Sequence, residues 1–308
     1  MKLQITLALT LLTLASACDD DSFSQVVDIP FPEHEPLPAL TVDMRSGDTA
    51  VYARLALSRG ILDDPQVTDR SAKIEVYRGE GLYLEQSYSL QNTDGNDLRV
   101  PLPASGPDTI PAGPEEYRVV ATIEGFAPAE ATQRMPAPAD FTLVSFEPNG
   151  ALDSEGSRVD VINIDLTDPP GTEDFYGFRV LIPQQRCEFD TEGDSLICEN
   201  FYEFANEAFM DSQDPVFKNS IGYGLVVTDQ SFNGSTYRVR LLVDAFRDGE
   251  TRLEVYRLTE DAYRYSVSRE AYEVSGDNPF AEPVNIHNNV AGGYGYFVAA
   301  SRRILALE

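Results

Sequence analysis

The feature that most restricts the fold is a series of short segments in which apolar and polar residues alternate. In the first half of the chain, residues 51–57, 72–77 and 117–123 follow this pattern. A period of two places alternate side chains on opposite faces, so each segment is predicted to be a half-buried β-strand. Turn-rich segments such as 92–97 separate these strands. The pattern predicts an immunoglobulin-like antiparallel β-sandwich over residues 39–138.

A second strand series follows a connector rich in proline and alanine at residues 127–139. Residues 159–166 and 237–243 alternate well, and residues 178–182 form a compact apolar run. These segments predict a second β-rich domain over residues 139–308, with the domain boundary in the connector.

One segment of the second domain breaks the β pattern. Thr259 is a suitable N-cap, and two acidic residues after it suit the positive end of a helix dipole. Apolar or small residues then recur at four-residue spacing, at Tyr263, Val267 and Ala271. We expect an amphipathic helix near residues 260–272. The predicted fold class is all-β, with two β-sandwich-like domains, the second of which carries one packed amphipathic helix.

The N-terminus has the layout of a secretory signal. Residues 1–17 contain a positive charge at Lys2, an apolar run and small residues directly before Cys18. This ending resembles the lipobox of bacterial lipoproteins, which implies cleavage before Cys18 and lipidation of its thiol. The alternative is an ordinary signal peptide whose cleavage site happens to precede a cysteine. Residues 18–38 are acidic and rich in proline, which favours an extended tether.

Three aspartates, Asp19 to Asp21, follow the cysteine. This cluster resembles the surface-export signal of Bacteroidota lipoproteins. In other Gram-negative bacteria an aspartate here would indicate retention in the inner membrane, and a solvated tether is the plainest interpretation. We expect a protein that is lipid-anchored in the outer membrane and displayed at the cell surface.

Composition excludes several classes of function. The 51 acidic residues outnumber the 23 basic residues and give a net charge of -28, which repels the phosphate backbone of nucleic acids. The 2 histidines and 3 cysteines are too few for multi-histidine metal sites, zinc clusters or four-cysteine iron–sulfur ligation. Acidic segments at 92–97 and 190–194 lack the twelve-residue loop of an EF-hand and are interpreted as ordinary turns. We predict no cofactor and no metal.

No catalytic motif is present. For a Ser-His-Asp arrangement the histidines are His34, in the tether, and His287, and there is no G-x-S-x-G elbow. A carboxylate pair for glycoside hydrolysis stays open because the sequence gives no distances between its many acids. We expect that the protein is not an enzyme, and a hydrolase with a carboxylate pair is the third-ranked hypothesis.

Two cysteines remain if Cys18 carries lipid. Cys187 and Cys198 flank turn-forming residues and short apolar runs, which predicts a hairpin closed by one disulfide. A catalytic dithiol is the alternative, but its usual spacing is C-x-x-C.

Three triplets resemble the O-glycosylation acceptor pattern of exported Bacteroidota proteins. The acceptors would be Thr49, Thr109 and Ser195. Such short patterns also match by chance.

Residues 277–297 are rich in asparagine, glycine and aromatic residues. Their composition indicates a long ordered loop that enters a closing strand. A structural crossover is one interpretation. The other is a rim that contacts a partner or ligand, formed by Asn285, His287, Asn288, Tyr294 and Tyr296.

Residues 277–297, together with residues 168–171, 175–178 and 258–265, resemble the Bacteroidota lipoprotein family known as domain of unknown function 4249. The similarity extends over Val26–Ser301. Members are two-domain β proteins commonly encoded beside TonB-dependent outer-membrane receptors. The resemblance implies a role in nutrient capture or uptake, and it assigns no catalytic residue.

We therefore expect a ligand-binding or accessory partner of a TonB-dependent outer-membrane transporter. Its small-molecule or peptide ligand is not defined by the sequence. The alternative is a structural or adhesive envelope lipoprotein without a transport role, which would have neither a barrel partner nor a small ligand.

Overall fold

The structure is a computed structural model. It describes residues 34–60, 63–64, 66–104, 106–153, 155–189, 196–207, 210–244, 251–276, 282 and 284–307. The predicted signal peptide, Cys18 and the tether as far as residue 33 lie outside the described residues, as does Ser195.

The described residues form seventeen strands and one α-helix. The strands are β1 Pro38–Arg45, β2 Ala50–Leu57, β3 Val67–Arg78, β4 Gly81–Asn92, β5 Asn96–Pro101, β6 Glu116–Ile123, β7 Ala129–Arg134, β8 Asp140–Leu152, β9 Arg158–Thr167, β10 Phe175–Phe189, β11 Leu196–Glu207, β12 Met210–Asp211, β13 Lys218–Ser220, β14 Gly224–Thr228, β15 Thr236–Val243, β16 Thr251–Leu258 and β17 Tyr294–Leu307. The helix α1 is Glu260–Gly276, and Asp229–Ser231 form a 3₁₀ turn. The predicted all-β class with one helix is confirmed.

The largest sheet has nine strands. Eight of them follow the order β13-β14-β10-β16-β17-β1-β2-β5, and β11 pairs with β10 beside this path. Strand β1 is parallel to β17 and antiparallel to β2, so the first strand of the unit lies inside the sheet. Two four-stranded sheets complete the fold, with the orders β12-β15-β9-β8 and β4-β3-β6-β7.

Two apolar cores fill the space between the large sheet and the two smaller sheets. The first combines Leu40 and Val42 of β1 with strands β3, β4, β6 and β7, and the second combines Phe178 and Val255 with strands β8, β9 and β15. Strand alternation explains this placement, because every second residue of β1, β10 and β16 faces a small sheet. The fold therefore consists of sandwich-like layers that share one sheet.

Helix α1 covers part of the opposite face of the large sheet. Thr259 caps it, since its Oγ1 accepts a hydrogen bond from the Ala262 backbone N–H at 3.3 Å. The fully buried positions are Ala262 and Ser266, whereas Ala271 of the predicted stripe is exposed. The small side chains of Ala262 and Ser266 let the helix lie close to the sheet, and the larger Tyr263 packs at the side.

Glu35–Glu308 form one compact unit by their internal contacts. The second core begins at Ala139, but β17 contributes Phe297 and Ala299 to the first core, and the nine-stranded sheet extends through both halves. The predicted connector contains strand β7. The boundary between residues 138 and 139 stays a prediction. Within the described residues, no helix has the length and apolar character needed to cross a membrane.

Candidate functional site

A cleft with a volume of about 580 Å³ lies on the large sheet. Strands β1, β2, β5, β10, β16 and β17 contribute to it, as does the turn between β1 and β2. We call it the arginine cleft after its charged lining, which consists of Arg45, Arg99, Arg179, Arg252 and Arg302 with Asp43, Asp48 and Glu254.

The alternation of the strands places these charges on one face. Val42 and Met44 are buried in the first core, so Asp43 between them and Arg45 after them lie on the other face of β1. In β17, Arg302 continues the row of Val298 and Ala300, which pack beneath α1. The arginine cleft therefore begins where the cover provided by the helix ends.

The charge of the cleft is opposite to that of the chain. Its five arginines against three carboxylates leave a formal charge of +2, in a chain whose net charge is -28. A positive recess in an acidic surface concentrates anions locally.

Glu254 lies at the centre of the charged network and is only 2% exposed. Arg179 donates to its Oε2 from Nη2 at 2.7 Å and from Nε at 3.0 Å, and Arg302 donates from Nη1 to Oε1 at 3.4 Å. The Tyr256 hydroxyl also donates to Oε2. Burial opposes ionisation, but Arg179, the Tyr256 hydroxyl and Arg302 outweigh it and hold the pKa of Glu254 below its ordinary value.

Arg45 is held by a carboxylate on one side and by aromatic rings on the other. Its Nε and Nη2 donate to Asp43 at 3.1 and 2.6 Å. Its guanidinium carbon lies 5.1 Å from the ring centroid of Tyr223 and 5.7 Å from that of Tyr256, within cation–π range. Burial raises the pKa of Tyr256 to about 12 against the opposing charges of Arg45 and Arg179, so its hydroxyl stays protonated as a donor at neutral pH.

Arg302 joins the network to the turn after β1. Its Nη2 donates to Asp48 Oδ1 at 2.7 Å, and its backbone N–H donates to Ser46 Oγ at 2.8 Å. Arg99 is exposed at the mouth of the cleft and donates to Thr49 Oγ1 at 2.9 Å. Each guanidinium has five N–H donors. In the described part of the chain, the contacts of Arg45, Arg99 and Arg302 use only some of these, so N–H groups remain for an anionic ligand.

A larger depression of about 850 Å³ lies on the sheet of β3, β4 and β6. Its charged lining residues are Asp69, Lys73 and Glu124, among serine and threonine side chains. With two acids and one lysine, this depression is acidic like the chain as a whole. Its charge therefore does not distinguish it from the rest of the surface.

The residues of the predicted rim separate into two groups. His287 Nε2 lies 2.6 Å from Asp261 Oδ1 of α1, and the His287 backbone N–H donates to Ser268 Oγ at 2.9 Å. Tyr296 stacks on Tyr265 with ring centroids 3.6 Å apart. His287 and Tyr296 therefore attach the segment to the helix.

The other members of the predicted rim lie nearer the surface. Asn285 and Asn288 are exposed, and Tyr294 is 47% exposed. Asn288 Oδ1 accepts a hydrogen bond from the Val290 backbone N–H at 3.1 Å. None of the predicted rim residues is among those that line the arginine cleft.

The other predicted sites are placed as follows. Cys187 is disulfide-bonded, and the antiparallel register of β10 and β11 puts it directly opposite Cys198. Thr49 and Thr109 are exposed. Glycosylation of these residues and the partner of the disulfide stay predictions.

The arginine cleft was not predicted from the sequence. Its charged residues are up to 259 positions apart, from Asp43 to Arg302, and all except Asp48 lie in ordinary alternating strands. The available signal was the charge at alternate positions of β1, at Asp43 and Arg45. Only the register of the large sheet brings these strands together.

Fold and site define an all-β protein of sandwich-like layers with a cationic cleft on the open face of a shared sheet. The chain belongs to the family described as Domain of unknown function (DUF4249), whose model matches residues 26–303. No curated protein matches.

Among solved structures, the chain is similar to "The structure of a beta-glucuronidase from glycoside hydrolase family 2". The sequence identity is 12% and the TM-score is 0.20, with 85% of this chain and 22% of that chain covered. The chain thus spans about a fifth of that protein.

Proposed function

We propose that this protein is a lipid-anchored cell-surface protein that binds an anionic ligand in the arginine cleft. In this role it serves as a ligand-binding or accessory partner of a TonB-dependent outer-membrane transporter, and it is not an enzyme. The observation that supports an anionic ligand is the formal charge of +2 in the cleft, in a chain whose net charge is -28. The N-terminal sequence supports the anchor, because Cys18 directly follows a signal-like segment.

The cleft suits a small organic anion. Its volume of about 580 Å³ lies within the range of small-molecule sites, roughly 300–1,000 Å³. Tyr52 is 43% exposed and Ile304 is 50% exposed, and both line the cleft beside the arginines. A ligand that combines a carboxylate or phosphate with an apolar part would contact both kinds of surface.

Ligand binding is tested by calorimetric titration of the folded chain with citrate and with inorganic phosphate. Arg99→Gln removes one charge at the cleft mouth and is expected to weaken binding about tenfold, the effect of one charge-assisted hydrogen bond. The matched control is Arg118→Gln, a partly exposed arginine in β6 outside the cleft lining, which should leave binding unchanged. No binding of either anion, or equal weakening by both substitutions, would contradict the ligand class.

The transport role is tested separately by a pull-down of the tagged protein from its native outer membrane in mild detergent. Mass spectrometry identifies co-purifying proteins and the mass of the N-terminal peptide. We expect a TonB-dependent barrel and a lipidated Cys18. Recovery of the lipidated protein alone would reject the transport role in favour of the structural or adhesive alternative, and an unmodified Cys18 would reject the anchor.

A further inference from the structure

Away from the arginine cleft, three aspartates come together in the part of the fold that contains the second core. Each lies at or beside the end of a different strand. Asp168 directly follows β9, Asp174 directly precedes β10, and Asp229 opens the 3₁₀ turn after β14. They are 3%, 8% and 1% exposed, respectively. One carboxylate oxygen from each lies within 4.8 Å of those from the other two.

Two of the three carboxylates have their own hydrogen-bond partners. Asp168 accepts from the Tyr176 hydroxyl at 2.6 Å and from the Gly234 backbone N–H at 2.8 Å. Asp174 accepts from Arg257 Nη2 at 2.5 Å and from Nε at 3.2 Å. These contacts fix the orientation of both carboxylates.

Asp229 is different, because one of its oxygens has no partner. Asn233 Nδ2 donates to its Oδ2 at 2.9 Å, but Oδ1 is buried and accepts no hydrogen bond within the described residues. A buried carboxylate oxygen without a partner is costly, since it has lost its hydration. This oxygen therefore requires a positively charged or proton-donating partner.

The charge balance of the cluster leads to the same requirement. Three carboxylates against the one guanidinium of Arg257 leave a formal charge of -2. The three carboxylates are buried close together, so their charges repel one another. Either one proton or one divalent cation would relieve this repulsion, and only the cation neutralises the whole excess.

We propose that Asp168, Asp174 and Asp229 form a calcium-binding site. Calcium–oxygen distances of about 2.3–2.6 Å allow two ligands of one ion to lie up to roughly 5 Å apart, which accommodates the observed limit of 4.8 Å. The ligands are oxygens only, which selects a hard cation, and calcium tolerates irregular geometry better than magnesium. Water would complete the coordination shell.

The site joins two connections of the fold that are distant in sequence. Asp168 and Asp174 bound the loop between β9 and β10, and Asp229 lies in the connection between β14 and β15. A bound ion would therefore stabilise the folded state by mass action. This inference is independent of the arginine cleft and of the proposed transport role.

The test is titration of chelator-treated protein with calcium chloride by calorimetry and thermal unfolding. We expect one site with a dissociation constant on the order of 10⁻⁵–10⁻³ M and a rise in unfolding temperature. Asp229→Asn keeps the shape of the side chain and should weaken binding at least about tenfold. The matched control is Asp97→Asn, at an exposed position of β5, which should bind calcium as the unsubstituted chain does.

The result must be separated from general screening of an acidic protein. Equal stabilisation by magnesium and calcium, retained in Asp229→Asn, would overturn the proposal, as would no binding up to about 10 mM calcium. The proposal would also be overturned if a single proton on Asp229, and not a cation, neutralises the cluster. In that case the unsubstituted chain binds no calcium, and Asp229→Asn is at least as stable as the unsubstituted chain.

A second measurement covers the case in which Asp229→Asn does not fold. Terbium substitutes for calcium and is excited through nearby tyrosines, and Tyr176 hydrogen-bonds Asp168 directly. We expect terbium emission that excess calcium displaces and that Tyr176→Phe reduces severalfold. Emission that calcium does not displace, or that Tyr176→Phe leaves unchanged, would place the ion elsewhere and overturn the assignment.

Discussion

Replacement of Glu254 by glutamine should reveal how strongly the arginine cleft depends on one buried carboxylate. The substitution keeps the size of the side chain and removes its charge. It leaves Arg179 and Arg302 opposite a neutral amide, although both arginine side chains are only 16% exposed. We expect Glu254→Gln to fold and to be markedly less stable.

The magnitude follows from the two ion pairs. At a separation of roughly 3 Å and an effective dielectric constant of about 20, Coulomb's law gives about 5 kcal/mol for each pair. The desolvation of these groups on folding offsets much of that gain. Removal of one partner from a buried ion pair typically costs about 3–5 kcal/mol, and we expect a loss near the lower end because some solvent reaches the arginines.

The assay is urea unfolding at neutral pH, followed by circular dichroism. An unchanged dependence of the unfolding free energy on urea concentration would show that the two chains expose the same surface on unfolding. Glu85→Gln, at an exposed position of β4, is the control and should change stability by less than about 0.5 kcal/mol.

Two results would refute this reasoning. A loss below about 1 kcal/mol would mean that Glu254 contributes no more than a surface ion pair. Weaker citrate binding by folded Glu254→Gln would contradict the role of net charge, because the substitution makes the cleft more positive.

Three further predictions concern other parts of the structure. The stability difference between the unsubstituted chain and Glu254→Gln should be fully present above about pH 4.3, the ordinary pKa of a glutamate. It should disappear as the pH falls through the lowered pKa of Glu254, and urea unfolding at a series of pH values measures this. Gly295→Ala should cost about 3 kcal/mol or more in thermal unfolding, because φ is +116° and an added Cβ would lie 1.9 Å from a backbone oxygen of β1. Gly79→Ala, with φ +56° and no atom near the added Cβ, should cost only about 1 kcal/mol, and equal losses would contradict the steric argument. Peptide mapping without reduction should recover Cys187 linked to Cys198, and two free thiols would exclude the hairpin disulfide.

Local features of the structure were predictable because they depend on local periodicity. The alternation of residues 159–166 predicted a strand that the structure has at Arg158–Thr167, and Thr259 marked the start of α1 correctly. The helix face was predicted less well, since sequence spacing favoured the large Tyr263 over the small Ala262 and Ser266. Contact with a flat sheet selects small residues, and the spacing alone does not reveal which surface the helix packs on.

The sites were harder to predict because they depend on long-range register. Asp168 begins a segment with two prolines and a glycine, which is typical of a turn, but nothing in the sequence connects it with Asp229. Arg302 and Asp48 likewise lie at opposite ends of the chain and meet only through the pairing of β17 with β1. Acidic residues are so numerous here that clusters in sequence, such as residues 92–97, did not indicate clusters in space.

The parallel pairing of β1 with β17 also affects the order in which the protein can fold. The Arg302 backbone N–H and Ser46 Oγ, which are 256 positions apart, hydrogen-bond across this pair. Strand β1 therefore keeps an unpaired edge until the last strand has been synthesised. Such non-local pairing slows folding, because a long loop must close before the contact stabilises anything. During synthesis, which starts at the N-terminus, the large sheet can be completed only after β17 has been made. Deletion of β17 would therefore damage the first core as well as the second.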